Sequence, residues 1–488
     1  MILYLRGRSR WAVAAVTLAV FLFGSFAVGV FSVRDTVYGM MLILAMFGLV
    51  VYWVKPDAMV GVALFWAFAA LPAGLHVGKV VGPAVINGYQ VAVVLAICYL
   101  IPIVRPRFSD FALPGIFALT VVSATVAGFA AGHTTWVVIR ESQTLFEMIG
   151  GFILGLLIIH GDYGRLAIRA IVLILWFSAG MAIVSSLHAV QLFGRAESLP
   201  GAGAGDAVRI ILSTQSLATA VLTALVAAAL IGGVRHGLYF ALGPPALIIT
   251  MLSFSRNTLI ALAVGAGVAV LAGFGWLTLR RGAALAAIGA VVFAVAIPGS
   301  LFLLQGTSSG DWLAGQFAAF NHRVLGGVST EALSVDSSTQ DRLREVGNLN
   351  RAIARAPVFG HGLGYAYQPS YGDDEFETKI TSTFSHNFYL WWLVKAGAVG
   401  MAAFALFALA PLTRALRRAS PPAKISAATT GGLLAISAVW PLPEMPIDAL
   451  ALGLALGATM GLAGVPRPSP DAGELERNGR PAPIAGLK

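Results

Sequence analysis

Three kinds of residue in this chain could carry chemistry: isolated arginines, a histidine at the head of an apolar run, and a cluster of glycines. Arg256 sits in Ser253-Phe254-Ser255-Arg256-Asn257, a polar break between two apolar runs, and Arg209 opens another such run. A guanidinium in that setting can bind an anion, or it can simply snorkel from a helix end. From Asp341 to Arg355, Leu343, Val346, Leu349 and Ile353 recur at three- and four-residue spacing, the pattern of an amphipathic helix that Ala356-Pro357 ends. Arg342 and Arg344 stand at its N-terminal end, where the helix dipole disfavours cations. Anion binding is one reason for them to be there; a solvated helix face is the other.

Next comes Pro357-Val358-Phe359-Gly360-His361-Gly362-Leu363-Gly364. Its three glycines permit positive φ angles and close approach of backbone to a ligand, but the Lys-Ser/Thr of a phosphate loop does not follow, and a plain turn explains it equally. Ser385-His386-Asn387 then leads into a long apolar run interrupted by Gly397 and Gly400. A histidine in that position can act as a general base or merely cap the helix. The acidic run Asp373, Asp374, Glu375 and Glu377 lacks further metal ligands and reads as a solvated loop, while His133, Glu141 and Glu444 cannot be ranked.

The elements that must position these residues are membrane helices. The chain has 488 residues, 58% hydrophobic and only 11% charged, with a mean hydropathy of +0.83; a soluble domain keeps about 25% charged residues to face water. Apolar runs recur at the length of a helix crossing about 30 Å of hydrocarbon, and the ten-residue alternation of a membrane barrel is missing. The expected fold is an all-α polytopic membrane protein of about 12–14 transmembrane helices, with one large extracytoplasmic loop that contains an amphipathic helix. The runs fall near 11–31, 37–54, 58–75, 86–104, 111–131, 145–160, 166–190, 213–231, 238–254, 258–278, 283–304, 387–410, 426–440 and 447–464. Residues 1–304 thus hold the first eleven helices, 305–386 the large loop with its helix at 341–355, 387–465 the last helices, and 466–488 a disordered tail.

With the N-terminus inside, more than half of the 32 Lys and Arg fall on the cytoplasmic side, so both termini are expected there and the loop outside. The formal charge of +10 reflects this sidedness, and no nucleic-acid partner is needed to explain it. Arg6, Arg8 and Arg10 before the apolar run read as a retained signal-anchor. The single cysteine, Cys98, lies in an apolar run and reads as ordinary packing.

Taken in order, these motifs resemble the O-antigen ligase and polymerase superfamily. Arg342 stands fifteen residues before Pro357; the glycine turn, His386-Asn387-Phe388-Tyr389-Leu390 and Gly397-Ala398-Val399-Gly400 follow, with Ser255-Arg256 upstream. The resemblance covers roughly Arg209 to Gly400, with one departure: Lys395 stands where family members often carry Glu, a position expected to tune packing or charge at the helix.

The resemblance implies an enzyme of the bacterial cytoplasmic membrane. It would transfer a glycan from undecaprenyl pyrophosphate to a sugar hydroxyl on a glycan or lipid acceptor at the outer face, inverting the anomeric centre. Neither a metal nor any other cofactor is implied, and other polysaccharide-assembly proteins are conceivable partners. His386 would be the base, and Arg209, Arg256, Arg342 and, in reserve, Arg344 would bind the pyrophosphate. Pro357, Gly360, Gly362, Gly364 and Asn387 would shape the loop around it. A flippase-like transporter would need polar groups along a mid-bilayer path, and few charges apart from Glu147 lie inside the runs. A non-catalytic envelope-assembly scaffold would tolerate loss of His386.

Overall fold

The computed structural model describes residues 50–73, 78–81, 84–188, 190–192, 194–199, 207–291, 294–295, 297–321, 324, 337–370 and 380–464, with isolated residues 29 and 48. The expected runs at 11–31 and most of 37–54, the acidic run at 373–377 and the tail lie outside the described residues. Among the described residues the fold is mainly helical: α1 (Ala58–Phe68), α2 (Gly88–Val104), α3 (Ala112–Ala130), α4 (Thr135–His160), α5 (Gly164–Leu187), α6 (Gln215–Ile231), α7 (His236–Leu252) and α8 (Asn257–Ala272) come first. Then follow α9 (Trp276–Val291), α10 (Ile297–Leu303), α11 (Ser308–Phe320), α12 (Ser337–Arg355), α13 (Phe388–Leu416), α14 (Pro421–Ile436) and α15 (Pro446–Gly464). Among the described residues five helices are long and apolar enough to cross a membrane, those of α3 to α5, α13 and α15, and α1, α2, α6, α7 and α8 are shorter apolar helices. The chain is an all-α polytopic membrane protein.

Among the described residues two small antiparallel hairpins interrupt the helices, β1 (Gly78–Val81) with β2 (Ala84–Asn87) and β3 (Gly194–Leu199) with β4 (Ala207–Leu212). Hydropathy alone does not reveal them, because β4 runs directly into the apolar sequence of α6. The run expected to start at 145 begins at Thr135 instead: Arg140 and Glu141 break the apolar pattern but face partners inside the bundle. The run expected at 283–304 is divided between α9 and α10.

Lipid offers no hydrophobic drive for helix association, so close packing must hold the bundle together. The broadest contact joins α4 and α15, which lie parallel with glycines at four-residue spacing. A Cβ on Gly453 or Gly457 would overlap the carbonyls of Met148 or Phe152, and one on Gly151 or Gly155 those of Leu450 or Leu454. Around this seam lies an aromatic core in which the Phe117 and Phe407 rings stack at 5.0 Å and Phe388 meets Phe404 at 4.8 Å.

The two ends of the bundle differ chemically. At one end, Arg281 Nη1 donates to Ile231 O and Lys424 Nζ to Ala272 O, each at 2.6 Å, satisfying the last carbonyls of α6 and α8 with cations. At the other end the start of α13 meets the end of α14, where Phe388 N–H donates to Ser437 O at 3.1 Å. Ser216 near the start of α6 donates there to Asp448 near the start of α15, which also accepts from Trp440 Nε1 at 3.2 Å.

Candidate active site

The segment 356–364 is clamped between α3 and α13 by its own backbone. His361 N–H donates to Val394 O, Gly362 N–H to Lys395 O and Leu363 N–H to Ala124 O, each at 2.9 Å, and Gly364 N–H donates to Glu141 Oε2 at 2.6 Å. In return Ala398 N–H donates to Pro357 O at 2.9 Å. This exchange is open because α13 breaks at Gly397, whose φ of 63° and ψ of −165° lie in a region essentially reserved for glycine. A Cβ on Gly397 would overlap the Val358 carbonyl, and one on Gly362, at φ 84°, would overlap the backbone of Gly128. The N–H groups of Gly360, Gly362 and Gly364 are therefore all taken within the protein. The turn is a packing device: its glycines let backbone approach backbone rather than a ligand. Two histidines brace it, His133 Nδ1 against Leu363 O at 2.7 Å and His361 Nε2 against Ala352 O at 2.9 Å.

Beneath the turn lies an ion pair fully inside the bundle. Lys395 Nζ donates to Glu141 Oε1 at 2.9 Å and to Tyr365 O at 3.0 Å, and it lies 5.3 Å from the Trp391 ring centroid. Lys395 is completely inaccessible and Glu141 9% exposed. Both partners also bind the loop, so the pair fastens α4 and α13 to it.

The loop so held delivers α12 to His386. Glu345 points inward and accepts three hydrogen bonds: Oε1 from His386 N–H at 2.7 Å and Ser385 Oγ at 2.5 Å, Oε2 from His386 Nδ1 at 2.8 Å. Burial alone would raise the Glu345 carboxyl, but the hydrogen bonds from His386 and Ser385 and the charge of the imidazole outweigh it and hold the carboxyl below its ordinary range. A carboxylate can only accept, so Nδ1 carries a proton, and in the neutral form of the ring Nε2 keeps a lone pair. The His386 side chain is 32% exposed, against 6% for Glu345, so the ring is reachable while its anchor is not. Asn387 caps α13, its side chain accepting from Leu390 N–H at 3.2 Å. Its N–H donates to Ser385 Oγ at 2.9 Å.

Glu345 escaped the sequence reading, and the reason is legible. The expected apolar stripe of α12 included Leu343, yet Leu343 is 69% exposed, and the buried face is Glu345, Leu349 and Ala352 at four- and three-residue spacing. A carboxylate inside a helical stripe is the signal that could have found it. Arg140 and Glu444 were likewise left without assigned roles. Glu444 Oε2 accepts from Ser385 N–H at 3.1 Å, which places a second carboxyl directly behind the histidine turn.

The arginines divide into two groups. Arg209 on β4 donates from Nε to Ser253 O at 2.9 Å, and Arg256, half-buried, stands immediately before α8, three residues after that serine. Arg209 and Arg256 thus share the Ser253–Ser255 turn. Arg342 and Arg344 sit on the exposed side of α12, Arg344 in a 3.5 Å surface pair with Asp341.

Among curated proteins, none matches this chain. Residues 244–405, about a third of its length, match a family model described as O-antigen ligase. The match takes in Arg256, the whole of α12, the glycine turn and His386, and leaves Arg209 and Glu444 outside. The part of this polytopic membrane protein that carries these residues is thus similar to the O-antigen ligase family.

Proposed function

We propose that this protein is a glycosyltransferase of the bacterial cytoplasmic membrane, acting at the outer face, with both termini in the cytoplasm and the α12 loop outside. It polymerises or ligates envelope polysaccharide, moving a glycan from undecaprenyl pyrophosphate to a sugar hydroxyl. The observation that carries this reading is the His386–Glu345 pair, 2.8 Å apart with the ring exposed. The acceptor hydroxyl oxygen attacks the anomeric carbon while Nε2 takes its proton, and the bond to the pyrophosphate oxygen breaks with inversion. Glu345 stabilises the imidazolium that forms. Arg209 and Arg256, with Arg342 and Arg344 from the loop, stabilise the negative charge growing on the leaving pyrophosphate, so that the reaction calls on no metal. Pro357 and the glycines serve by holding α12 in place, and Asn387 by fixing the start of α13.

The test is polymer output from a deletion strain rescued with wild type, His386→Ala or Arg256→Ala at matched membrane abundance. Loss of polymer with lipid-linked glycan stalled on the outer leaflet supports the proposal. Normal polymer from His386→Ala sinks it, and donor held on the inner leaflet points to a transporter. Stalled single repeat units identify a polymerase, the reading we favour; long unattached chains identify a ligase.

A further inference from the structure

α12 and α13 run side by side in the same direction. Glu345 meets His386, Leu349 and Ala352 pack against Val394, and Pro357 O accepts from Ala398 N–H. The far end of α13 carries the exposed Arg414, Arg417 and Arg418, which mark one edge of the membrane. At about 1.5 Å per residue, about 20 residues of helix cross the hydrocarbon, so the other edge falls near Val394. The 29 residues of α13 therefore overshoot the hydrocarbon, and its first turns stand above it. α12 descends beside those turns, and the glycine turn at its end meets α13 between Lys395 and Val399, where the hydrocarbon begins.

What α12 brings to that level is exposed. Val358 and Phe359 are 50% and 74% accessible although the backbone of the turn is clamped. Val399 N–H donates to Val358 O at 3.2 Å, so the pair adjoins an exposed apolar residue of the span itself. Just above them Arg351 and Arg355, four residues apart and so on one face of α12, are both exposed. Arg351 donates from one nitrogen to Asn348 Oδ1, and Arg355 has no hydrogen bond or ion pair among the described residues. No Asp or Glu stands between Glu345 and Asp373, so this stretch of chain supplies no counter-charge. Cations above and apolar side chains below, at the edge of the hydrocarbon, are the arrangement of an interfacial anchor.

We propose that the end of α12 and its turn dock on the membrane surface. Val358 and Phe359 enter the acyl boundary of the leaflet on the His386 side, and Arg351 and Arg355 bind the phosphates of anionic phospholipid there. The proposal goes beyond the glycosyltransferase reading and does not depend on it. Its consequence is positional: the same helix that holds Glu345 against His386 is fixed in height by the lipid, which sets the ring about 12 Å above the hydrocarbon edge.

The experiment uses the full-length chain at one copy per nanodisc, so that no second copy can be the cover. Cys98, which is exposed, is replaced by Ala, and a nitroxide is placed at Phe359→Cys or, for comparison, at Leu343→Cys. Collision with oxygen, which concentrates in lipid, and with a polar nickel chelate, which stays in water, reads the depth of each label. The expected result is oxygen above nickel at position 359 and nickel above oxygen at position 343, which lies level with the histidine pair. Nickel above oxygen at both positions overturns the anchor, and oxygen above nickel at both overturns the depth given to α12. The headgroup contact is read on wild type, by hydrogen exchange of the amides of residues 349–355 in phosphatidylcholine nanodiscs with and without phosphatidylglycerol. Exchange should slow by about fivefold or more with phosphatidylglycerol, and Arg351→Gln/Arg355→Gln should abolish the difference. Equal exchange in the two lipids, a difference that the double variant keeps, or the same slowing from inorganic phosphate alone overturns the anionic lipid. Neither readout involves turnover, so the anchor can fail while His386 remains essential, and the base can fail while the anchor stands.

Discussion

Replacing Glu345 by Gln removes one charge and no volume, which isolates what the carboxylate does. Both of its oxygens accept, one from the His386 ring and the other from the His386 backbone and Ser385. An amide has one oxygen. If that oxygen keeps the backbone and serine bonds, the NH₂ faces Nδ1, which must then accept, and the ring proton moves to Nε2. If the amide turns over, the NH₂ confronts the His386 N–H and the turn is destabilised. Either way Nε2 loses its role. The expected loss is the whole general-base contribution, about 10²- to 10⁴-fold in kcat, or about 2.7–5.4 kcal/mol of transition-state stabilisation. KM for the lipid-linked donor should change little, because Glu345 belongs to no donor contact. The assay is turnover of purified protein in nanodiscs on lipid-linked donor, with thermal unfolding as the control for folding. A folded variant with kcat within about threefold of wild type, about 0.7 kcal/mol, refutes the assignment of His386 as a base oriented by Glu345.

Three further outcomes follow from the same packing. Gly397→Ala should destabilise the solubilised protein by about 3 kcal/mol or more, because it combines a glycine-only backbone with overlap on the Val358 carbonyl; unchanged thermal unfolding would remove the clasp from the account. Lys395→Met leaves Glu141 buried and charged and should cost about 3–5 kcal/mol, with much of that recovered in Lys395→Met/Glu141→Gln. A single variant as stable as the double would show the pair to be dispensable. Because the Glu345 carboxyl lies below its ordinary range when folded, its contribution is full above the unfolded pKa of about 4.3 and is lost as pH falls through the folded value. Melting temperature followed from about pH 6 to about pH 3 should show this acid limb in wild type, and its persistence in Glu345→Gln would assign it elsewhere.

The architecture was readable because helices in lipid must be both apolar and long, and α3, α5, α13 and α15 are both. The start of α4 was not, since Arg140 and Glu141 look like solvent-facing charges until their partners on the loop and α13 are known. Near the proposed base, sequence singled out His386 by its place at the head of a span, but offered no partner for it. Glu345 lies 41 positions away, and Glu444 reaches Ser385 across 59; no local pattern encodes such distances. The glycine cluster was visible as a need for unusual backbone, but whether a ligand or another strand of main chain filled the space could only be told from the fold. The two hairpins stayed hidden for a different reason: their residues look like the edges of neighbouring apolar runs.

The ion pair of Lys395 and Glu141 joins positions 254 residues apart. During synthesis α4 enters the membrane long before α13 exists, so Glu141 waits for its partner until most of the chain has been made. Only then can the glycine turn seat itself, bring in α12 and complete the histidine pair, and Glu444 arrives later still. The proposed chemistry is therefore switched on by the last steps of biogenesis. A chain stalled or cut before α13 would lack Lys395 and the break at Gly397 that seat the turn, so the proposed base would not yet be assembled.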